Sequence, residues 1–319
     1  MMQYALCRFV RNNLRMLLSW CCLLAMSFAL ADEPAVLLAA VGDVMLARTV
    51  PTRLAAHEPA WPWENLAPYL RPADLRFCNL ECAVATGGVQ IIKKYSFRAD
   101  PAQTAGVLAA AGITVASVAN NHSYDYARGG LTETLAHLRA CRIEAPGAGE
   151  GRAAAIAPKR VECHGLKLAF VAYTQWTPTE YLPAEQGTAL AILNEATLAE
   201  ELRAAKKGAD FLIVSLHWGQ EYAPEASKEQ VRLAHLAIDA GVDLILGSHP
   251  HVAQQIEIYR HRPILYSLGN CIFDRSGTHN SNGLLALVRF TPTTVQLEHL
   301  YAFDLLDARP VGVKSIPIE

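Results

Sequence analysis

The sequence predicts an α/β fold, and two observations carry that prediction. Apolar runs of strand length recur along the chain, and amphipathic segments with helical spacing lie between them. Alternation of strands with helices is typical of α/β folds in which the strands are mainly buried. The chain has 319 residues and is 52% hydrophobic, which allows a large core and argues against disorder.

Six apolar runs are predicted to be strands, and each is followed at once by polar residues. Glycine, asparagine, serine or histidine stands directly after the apolar stretch in each case. Because sites in α/β folds gather at the carboxyl ends of strands, we expect these polar residues to meet in one site. The predicted strands are residues 35–41, 75–78, 113–119, 211–216, 242–247 and 264–268.

Helices are predicted between the strands, and antiparallel strands are predicted at the end of the chain. Residues 283–319 alternate apolar and polar positions, which favours strands that complete a sheet. No repeat or linker divides the chain, so residues 35–319 are predicted to be a single domain. The predicted helices are residues 101–111, 129–141, 197–207 and 225–240.

Residues 1–31 have the pattern of a secretory signal peptide. Three arginines precede an apolar run at residues 16–30, and Ala29 and Ala31 form a small-x-small cleavage site. The apolar run is short for a membrane span, which needs about 20 residues. We therefore expect an exported protein in the periplasm or at the extracellular face of the cytoplasmic membrane. An uncleaved N-terminal anchor is the alternative.

The charge of the chain argues against a nucleic-acid partner. Loss of residues 1–31 would remove three of the 28 basic residues and none of the 30 acidic ones, which leaves a net charge near −5. The sequence contains no basic stripe of the kind that binds phosphate backbones.

Five cysteines remain after the predicted signal peptide. Cys78 and Cys82 are four residues apart in a predicted strand, and at about 13 Å they would be too far apart to bridge. Cys141 and Cys163 could form a disulfide in an oxidising compartment. The cysteine pattern is not that of a zinc site.

The polar residues at the predicted strand ends are of the types that bind divalent metals. Carboxylate, amide oxygen and imidazole suit Mn²⁺, Zn²⁺ or Fe²⁺, so one or two such ions are predicted. Two ions could share a bridging carboxylate and activate a water for attack on phosphorus. His122 follows Asn121 directly and could act on the leaving group as a general acid or stabilise charge on the substrate. The candidate ligands are Asp43, Glu81, Asn121, His217, His249 and His251.

Each candidate also has a simpler interpretation. The residues around Asp43 and Asn121 could form ordinary turns, and His217 could be a hydrogen-bonded core histidine. Chain alternation could point His249 and His251 to opposite sides.

Three further residues are candidates for substrate binding. Asn270 is predicted to shape the floor of the site, and Glu221 to reach it from a loop. Arg98 belongs to a basic run with Lys93 and Lys94 that could receive an anionic polymer or phosphate. The simpler interpretation is a solvated loop for Glu221 and a solvated charged face for the basic run.

The order of these motifs resembles that of the calcineurin-like metallophosphoesterases. The fuller set is similar to the CapA branch, the bacterial poly-γ-glutamate capsule-synthesis (PGA_cap) family, over roughly residues 36–275. Each motif alone is weak, whereas six in the same order form a specific signal. The motifs are GDVML (42–46), NLE (79–81), NNHSYD (120–125), HWGQEY (217–222), SHPHV (248–252) and SLGNCIFD (267–274).

The resemblance implies a four-layer α/β/β/α sandwich of two mixed sheets, and it implies a role for each candidate. Ordinary members of the superfamily have Asp-x-His at the first strand, whereas this chain has Met45 in place of the histidine. The first metal site therefore lacks one ligand. By resemblance, Asp43 and His251 would hold the first metal, Glu81 would take the bridging position, Asn121, His217 and His249 would hold the second, and His122 would be the acid.

Two functions remain open from the sequence. The first is metal-dependent hydrolysis of a phosphoester or polymer bond, with poly-γ-glutamate, another anionic polymer or a phosphate ester as substrate. The second is a non-catalytic protein that binds the polymer or assists a membrane polymer-synthase complex. Fold alone does not decide between them.

Overall fold

A computed structural model describes residues 34–178, 187–274 and 282–318 of the chain. The predicted signal peptide lies outside these ranges. Among the helices of the described residues, none is both long enough and apolar enough to cross a membrane.

Seventeen strands and seven α-helices make up the described part of the chain. The strands are β1 (Val36–Val44), β2 (Leu75–Leu80), β3 (Ala83–Val84), β4 (Arg98–Ala99), β5 (Val115–Ser117), β6 (Ala148–Glu150), β7 (Lys159–Cys163), β8 (Leu166–Thr174), β9 (Thr188–Leu190), β10 (Phe211–His217), β11 (Leu244–Ser248), β12 (Ile256–Tyr259), β13 (Arg262–Leu265), β14 (Asn270–Ile272), β15 (Asn282–Phe290), β16 (Val295–Leu306) and β17 (Arg309–Ile316). The helices are α1 (Val50–Leu54), α2 (Ala67–Leu70), α3 (Pro101–Ala111), α4 (Ala127–Ala140), α5 (Gly151–Ile156), α6 (Glu195–Lys206) and α7 (Lys228–Asp239), with a 3₁₀ turn at Trp61–Trp63.

Two mixed sheets form the centre of the fold. The first has the strand order β17-β16-β15-β1-β2-β5, and β14 pairs with the end of β1. The second has the order β12-β13-β11-β10-β8-β7. In the first sheet β1, β2 and β5 are parallel, and the antiparallel strands β15, β16 and β17 extend it on one side. In the second sheet the parallel strands β8, β10, β11 and β13 lie between the antiparallel edge strands β7 and β12. The predicted antiparallel strands after residue 283 are confirmed as β15, β16 and β17, which complete the first sheet.

Three apolar clusters separate four layers, as the resemblance implied. Alternate residues of β1 divide between two of them, because successive side chains of a strand point to opposite faces. Val36 and Leu38 pack between the two sheets. Leu37 and Ala39 pack against the helices of the first sheet. The third cluster lies between the second sheet and α6 and α7, so the four-layer sandwich is confirmed.

The predicted strands are present, but their ends differ from the sequence prediction. β1 continues three residues past Val41, because β14 takes over as its partner where β15 ends. β5 is shorter than predicted, and the predicted strand 264–268 is replaced by β13, which ends at Leu265. Helix α7 starts after a Ser227 capping box, three residues later than predicted.

The Cys141–Cys163 disulfide that the sequence left possible does not form in this structure. All five cysteines of the described residues are free thiols. Cys141 follows α4, which packs on the outer face of the first sheet, whereas Cys163 ends β7 in the second sheet. The two thiols thus belong to different layers of the sandwich.

Two glycines let backbone strands approach closely beneath the predicted site. A Cβ atom at Gly42 would lie 1.9 Å from the carbonyl oxygen of Gly269, and one at Gly247 would lie 1.9 Å from that of Tyr266. No side chain fits at either distance. These contacts fix the paths of the two strands that carry Asp43 and lead to His249.

We expect Gly247→Ala to destabilise the protein by about 3 kcal/mol or more, because the new methyl group meets rigid backbone. Gly106→Ala is the matched control. Gly106 lies inside α3, and a Cβ atom there would make only an ordinary contact of 3.4 Å with Pro59. The free energy of unfolding of this control should rise by up to about 1 kcal/mol, because alanine has a higher helix propensity than glycine. Urea unfolding of both variants tests the difference, and equal stabilities would contradict the close-approach argument.

Candidate metal centre

The candidate site lies where the carboxyl ends of strands from both sheets meet. Asp43 stands near the end of β1, in register with Asn79 of β2 on one side and Asn270 of β14 on the other. His217 is the last residue of β10 and is paired with Ser248 of β11. The prediction that the polar strand ends converge is confirmed in this geometry.

Asn79 holds two buried carboxylates together. Its Nδ2 atom donates to Asp43 Oδ1 at 2.8 Å and to Glu81 Oε2 at 3.2 Å. Its Oδ1 accepts from Asn120 Nδ2 at 3.2 Å, which fixes the orientation of the amide. All of these side chains are fully buried. Sequence reasoning missed Asn79, although its spacing of two from Glu81 on one strand path places both on the same face.

Glu81 has one carboxylate oxygen without a hydrogen-bond partner. Its Oε1 atom is buried and unpaired within the described residues, and the Nε2 atom of His251 lies 3.7 Å away. Burial raises the pKa of Glu81 well above its usual range, and the nearby charge of Asp43 raises it further. A buried carboxylate of this kind requires either a proton or a cation.

Three further ligand candidates meet at the same point. His217 Nε2 lies 2.9 Å from Asn121 Oδ1 and 3.1 Å from His249 Nδ1. Ligand atoms of Asp43, Glu81 and His217 all lie within 4.8 Å of one another. The donor set of carboxylates, amide oxygen and imidazoles fits a divalent cation such as Mn²⁺, Zn²⁺ or Fe²⁺.

The His-Pro-His sequence turns both rings toward the site. His249 has φ of 97° and His251 has φ of 61°, so the backbone leaves the extended conformation on both sides of Pro250. His251 Nδ1 lies 3.0 Å from Asn270 Oδ1 and 3.4 Å from Asp43 Oδ2. The alternative in which the two rings point to opposite sides is wrong, because positive φ values replace the alternation of a strand.

The charges of the site divide its histidines into two kinds. Burial, together with the neighbouring histidines, lowers the pKa of His249 to about 3 and that of His217 well below its usual range. Burial also opposes protonation of His251, but Glu81 and Asp43 outweigh it and raise the pKa to about 9. His217 and His249 are therefore neutral at pH 7, as ligand imidazoles must be.

His122 is oriented by an acidic partner. Its Nδ1 atom lies 2.7 Å from Asp125 Oδ2, and its ring stacks on Phe97 with centroids 3.9 Å apart. Burial lowers the pKa of His122, and the contact with Asp125 opposes that shift. A carboxylate acceptor favours the Nδ1–H tautomer, which leaves Nε2 for proton exchange. Lys93 Nζ lies 2.5 Å from the other Asp125 oxygen.

A pocket of about 490 Å³ opens beside these residues. Glu221 lies at its exposed rim, as predicted for a loop residue. Asn270 is buried beneath His251 and does not line the pocket. The lining residues include Lys93, Lys94, Tyr95, Asn121, His122, Trp176, Gln220, Glu221 and His249.

Arg98 lies elsewhere, unlike its neighbours in the basic run. Its guanidinium lies over the ring of Tyr126, 4.5 Å from the centroid, and donates to the Thr86 carbonyl at 3.5 Å. It is not among the residues that line the pocket. Lys93 and Lys94 take the place that the sequence prediction gave to Arg98.

Met45 contributes no ligand to this centre. Its side chain is fully buried in the core beneath the helices of the first sheet, and its Sδ atom accepts from the Ala47 amide at 3.1 Å. Of the Asp-x-His pair that the resemblance implies, only Asp43 therefore offers a ligand atom in this structure.

A family comparison bears directly on this arrangement. Residues 37–275 match the model of the family described as bacterial capsule synthesis protein PGA_cap. The chain belongs to the PGA_cap family. The match spans every strand end that carries a candidate ligand, from Asp43 to His251, and it also includes Asn270.

Curated relatives of this PGA_cap chain have names from capsule biosynthesis. The capsule biosynthesis protein CapA of Bacillus anthracis is 28% identical over 86% of this chain and 69% of its own length. A probable polyglutamine synthesis accessory protein of Mycobacterium tuberculosis is 30% identical over 85% of this chain and 76% of its own length. The 5′-nucleotidase precursor of Thermus thermophilus is a solved structure with 13% identity and a TM-score of 0.46, over 86% of this chain and 56% of its own. That similarity is too low to bear on activity.

The lowered pKa of His249 predicts how the metal-free protein responds to acid. A folded pKa of about 3 lies below the ordinary value of 6.5, so the stability contributed by neutral His249 is complete above about pH 6.5. It is lost as the pH falls toward 3, by up to about 1.4 kcal/mol per pH unit. His249→Gln should reduce this loss in urea unfolding of chelator-treated protein.

His235→Gln is the matched control, because His235 pairs with Glu257 at 2.8 Å outside the site. It should leave the acid response unchanged. An acid response of His249→Gln identical to that of the unmodified protein would contradict the buried, neutral state of this ring.

Proposed function

We propose that this PGA_cap protein is an exported, metal-dependent hydrolase that acts at the cell envelope. Its substrate class is poly-γ-glutamate, another anionic polymer or a phosphate ester. The observation that carries the proposal is the cluster of Asp43, Glu81 and His217, whose ligand atoms lie within 4.8 Å of one another. The unpaired Oε1 atom of Glu81 points to a missing positive charge.

The cost of burial is the physical argument for a cation. Two buried carboxylates beside each other repel, and an uncompensated buried charge costs several kcal/mol. His251 supplies one positive charge near Asp43 and Glu81, but its contacts with them are long, at 3.4 and 3.7 Å. His217 and His249 are neutral and add none. A divalent cation would balance the site and use these imidazoles as ligands.

Six residues would hold one or two divalent ions. The ions would supply charge stabilisation and a water of lowered pKa. His122 lies beside Asn121 at the pocket. Its Nε2 would first take up a proton from solvent, with Asp125 balancing the imidazolium charge, and would then donate that proton to the leaving group. Lys93 and Lys94 line the same pocket and would receive an anionic substrate. The metal-holding residues are Asp43, Glu81, Asn121, His217, His249 and His251.

The names of the relatives support the polymer context. They refer to capsule biosynthesis and to polyglutamine synthesis, and residues 1–31 of this chain have the pattern of an export signal. A membrane polymer-synthase complex is the partner that this context favours.

A second function is a non-catalytic accessory that grips the polymer through its carboxylates. Met45 favours it, because a buried thioether in place of a ligand weakens a two-metal centre. The contacts of His122 with Asp125 and Phe97 favour catalysis, since a structural metal site has no use for an oriented acid beside it.

His122→Ala distinguishes the two functions. We expect turnover of a phosphodiester, phosphomonoester and poly-γ-glutamate panel to fall roughly 10²- to 10⁴-fold, as is typical for loss of a general acid. Metal content should stay unchanged, because His122 is not among the proposed ligands. Steady-state kinetics and elemental analysis measure the two quantities.

His235→Ala serves as the control and should retain full turnover. Turnover that survives His122→Ala undiminished would contradict the role of His122 as the acid. Polymer binding without turnover in the unmodified protein would favour the accessory function.

A further inference from the structure

A second cluster of metal-binding side chains lies at the opposite end of the sandwich. Asp74, Cys163 and His164 each offer one ligand atom, and these three atoms all lie within 4.8 Å of one another. Asp74 directly precedes β2, and the other two residues come from the turn between β7 and β8. The cluster thus joins the first sheet to the second.

The sequence gives no sign of this cluster, since its members are far apart in the chain. Cys163 and His164 are adjacent, but Asp74 lies about 90 residues earlier, in the other sheet. The spacing of the cysteines alone is not that of a zinc site. Only the packing of the two sheets brings the thiol, the imidazole and the carboxylate together.

The two halves of the cluster are held by backbone structure. Asp74 Oδ2 accepts from the Leu37 amide at 2.8 Å, and Oδ1 lies 3.0 Å from His164 Nε2. His164 and Gly165 have φ of 48° and 79°, as in the tight two-residue turns of β-hairpins. That turn places the imidazole beside Asp74 and Cys163 at its base.

The donor set has the chemistry of a zinc site. Thiolate, imidazole and carboxylate are the three side-chain ligands that Zn²⁺ takes in proteins, and three protein ligands leave a fourth position for water. We propose that Asp74, Cys163 and His164 bind Zn²⁺ and clamp the two sheets together at this end of the fold. Asp74 and His164 are partly exposed, so the ion can enter from solvent.

The surroundings of the cluster are compatible with a cation. Arg289 interacts electrostatically with Asp74, and its guanidinium is paired with Glu298. Zn²⁺ binds the thiolate form of cysteine, so binding at Cys163 would release the thiol proton.

This site is separate from the candidate metal centre. Leu37, which holds Asp74, is six residues before Asp43 on β1, a distance of about 20 Å along a strand. None of the six ligand candidates of the first centre is a cysteine. A sulfur-specific signal that disappears in Cys163→Ser therefore reports on the second site, whatever the first centre does.

Cobalt substitution provides that signal. We expect Co²⁺ added to the reduced, purified protein to give a thiolate-to-cobalt charge-transfer band in the near ultraviolet, at about one equivalent per chain. Added Zn²⁺ should displace it. Cys163→Ser should abolish the band, and Asp74→Asn should weaken Co²⁺ binding at least tenfold.

Cys141→Ser is the matched control, because Cys141 is the exposed thiol of the described residues and lies outside the cluster. Its band should equal that of the unmodified protein. Absence of the band in the unmodified protein, or its persistence in Cys163→Ser, would overturn the proposal. Circular dichroism of each variant checks that the fold is retained.

Discussion

The pair of buried carboxylates at Asp43 and Glu81 is the constraint on which the rest of the site depends. Both side chains are fully buried, and Asn79 donates to both through one amide nitrogen. A single amide does not neutralise two acids. The site therefore requires protons or cations. His251 lies beside the two acids and is protonated, whereas His217 is neutral.

Strands of both sheets hold the buried carboxylates and histidines in place. Gly42 and Gly247 allow their strands to pack directly against neighbouring backbone, and the candidate ligands come together where these strands end. His249 and His251 adopt positive φ values, which cost of order 1–3 kcal/mol each and persist only where the surroundings compensate. Three apolar clusters supply that compensation, since they bury both faces of each sheet.

Much of this fold and site follows from the sequence, because apolar strands with polar ends leave a strong local pattern. The convergence of the candidate ligands could be predicted for that reason. Asn79 belongs to the NLE motif, but its role could not be predicted, because only the packing of β1 beside β2 brings its amide to both carboxylates. The β7–β8 hairpin was also not predicted. The predicted strands were those followed by residues suited to a metal site, and β8 ends at Thr174, which is not such a residue.

Contacts between distant segments account for the remaining differences. Lys93 meets Asp125 and lines the pocket, whereas Arg98, five residues on, turns to Tyr126. Both belong to one basic run, and only the fold decides which of them faces the pocket. The Cys141–Cys163 pairing failed for the same reason, because sequence spacing does not reveal that the two thiols lie in different layers.

Elemental analysis of the Cys163→Ser protein, alone and combined with Glu81→Gln, tests the central claim most directly. The serine removes the thiolate site, so the metal that remains belongs to the carboxylate centre. We predict near-stoichiometric Mn, Zn or Fe in Cys163→Ser and its loss in the double variant, with the fold intact by circular dichroism. No metal in Cys163→Ser after reloading, or equal metal in both proteins, would contradict the account of Asp43 and Glu81 as a cation-binding pair.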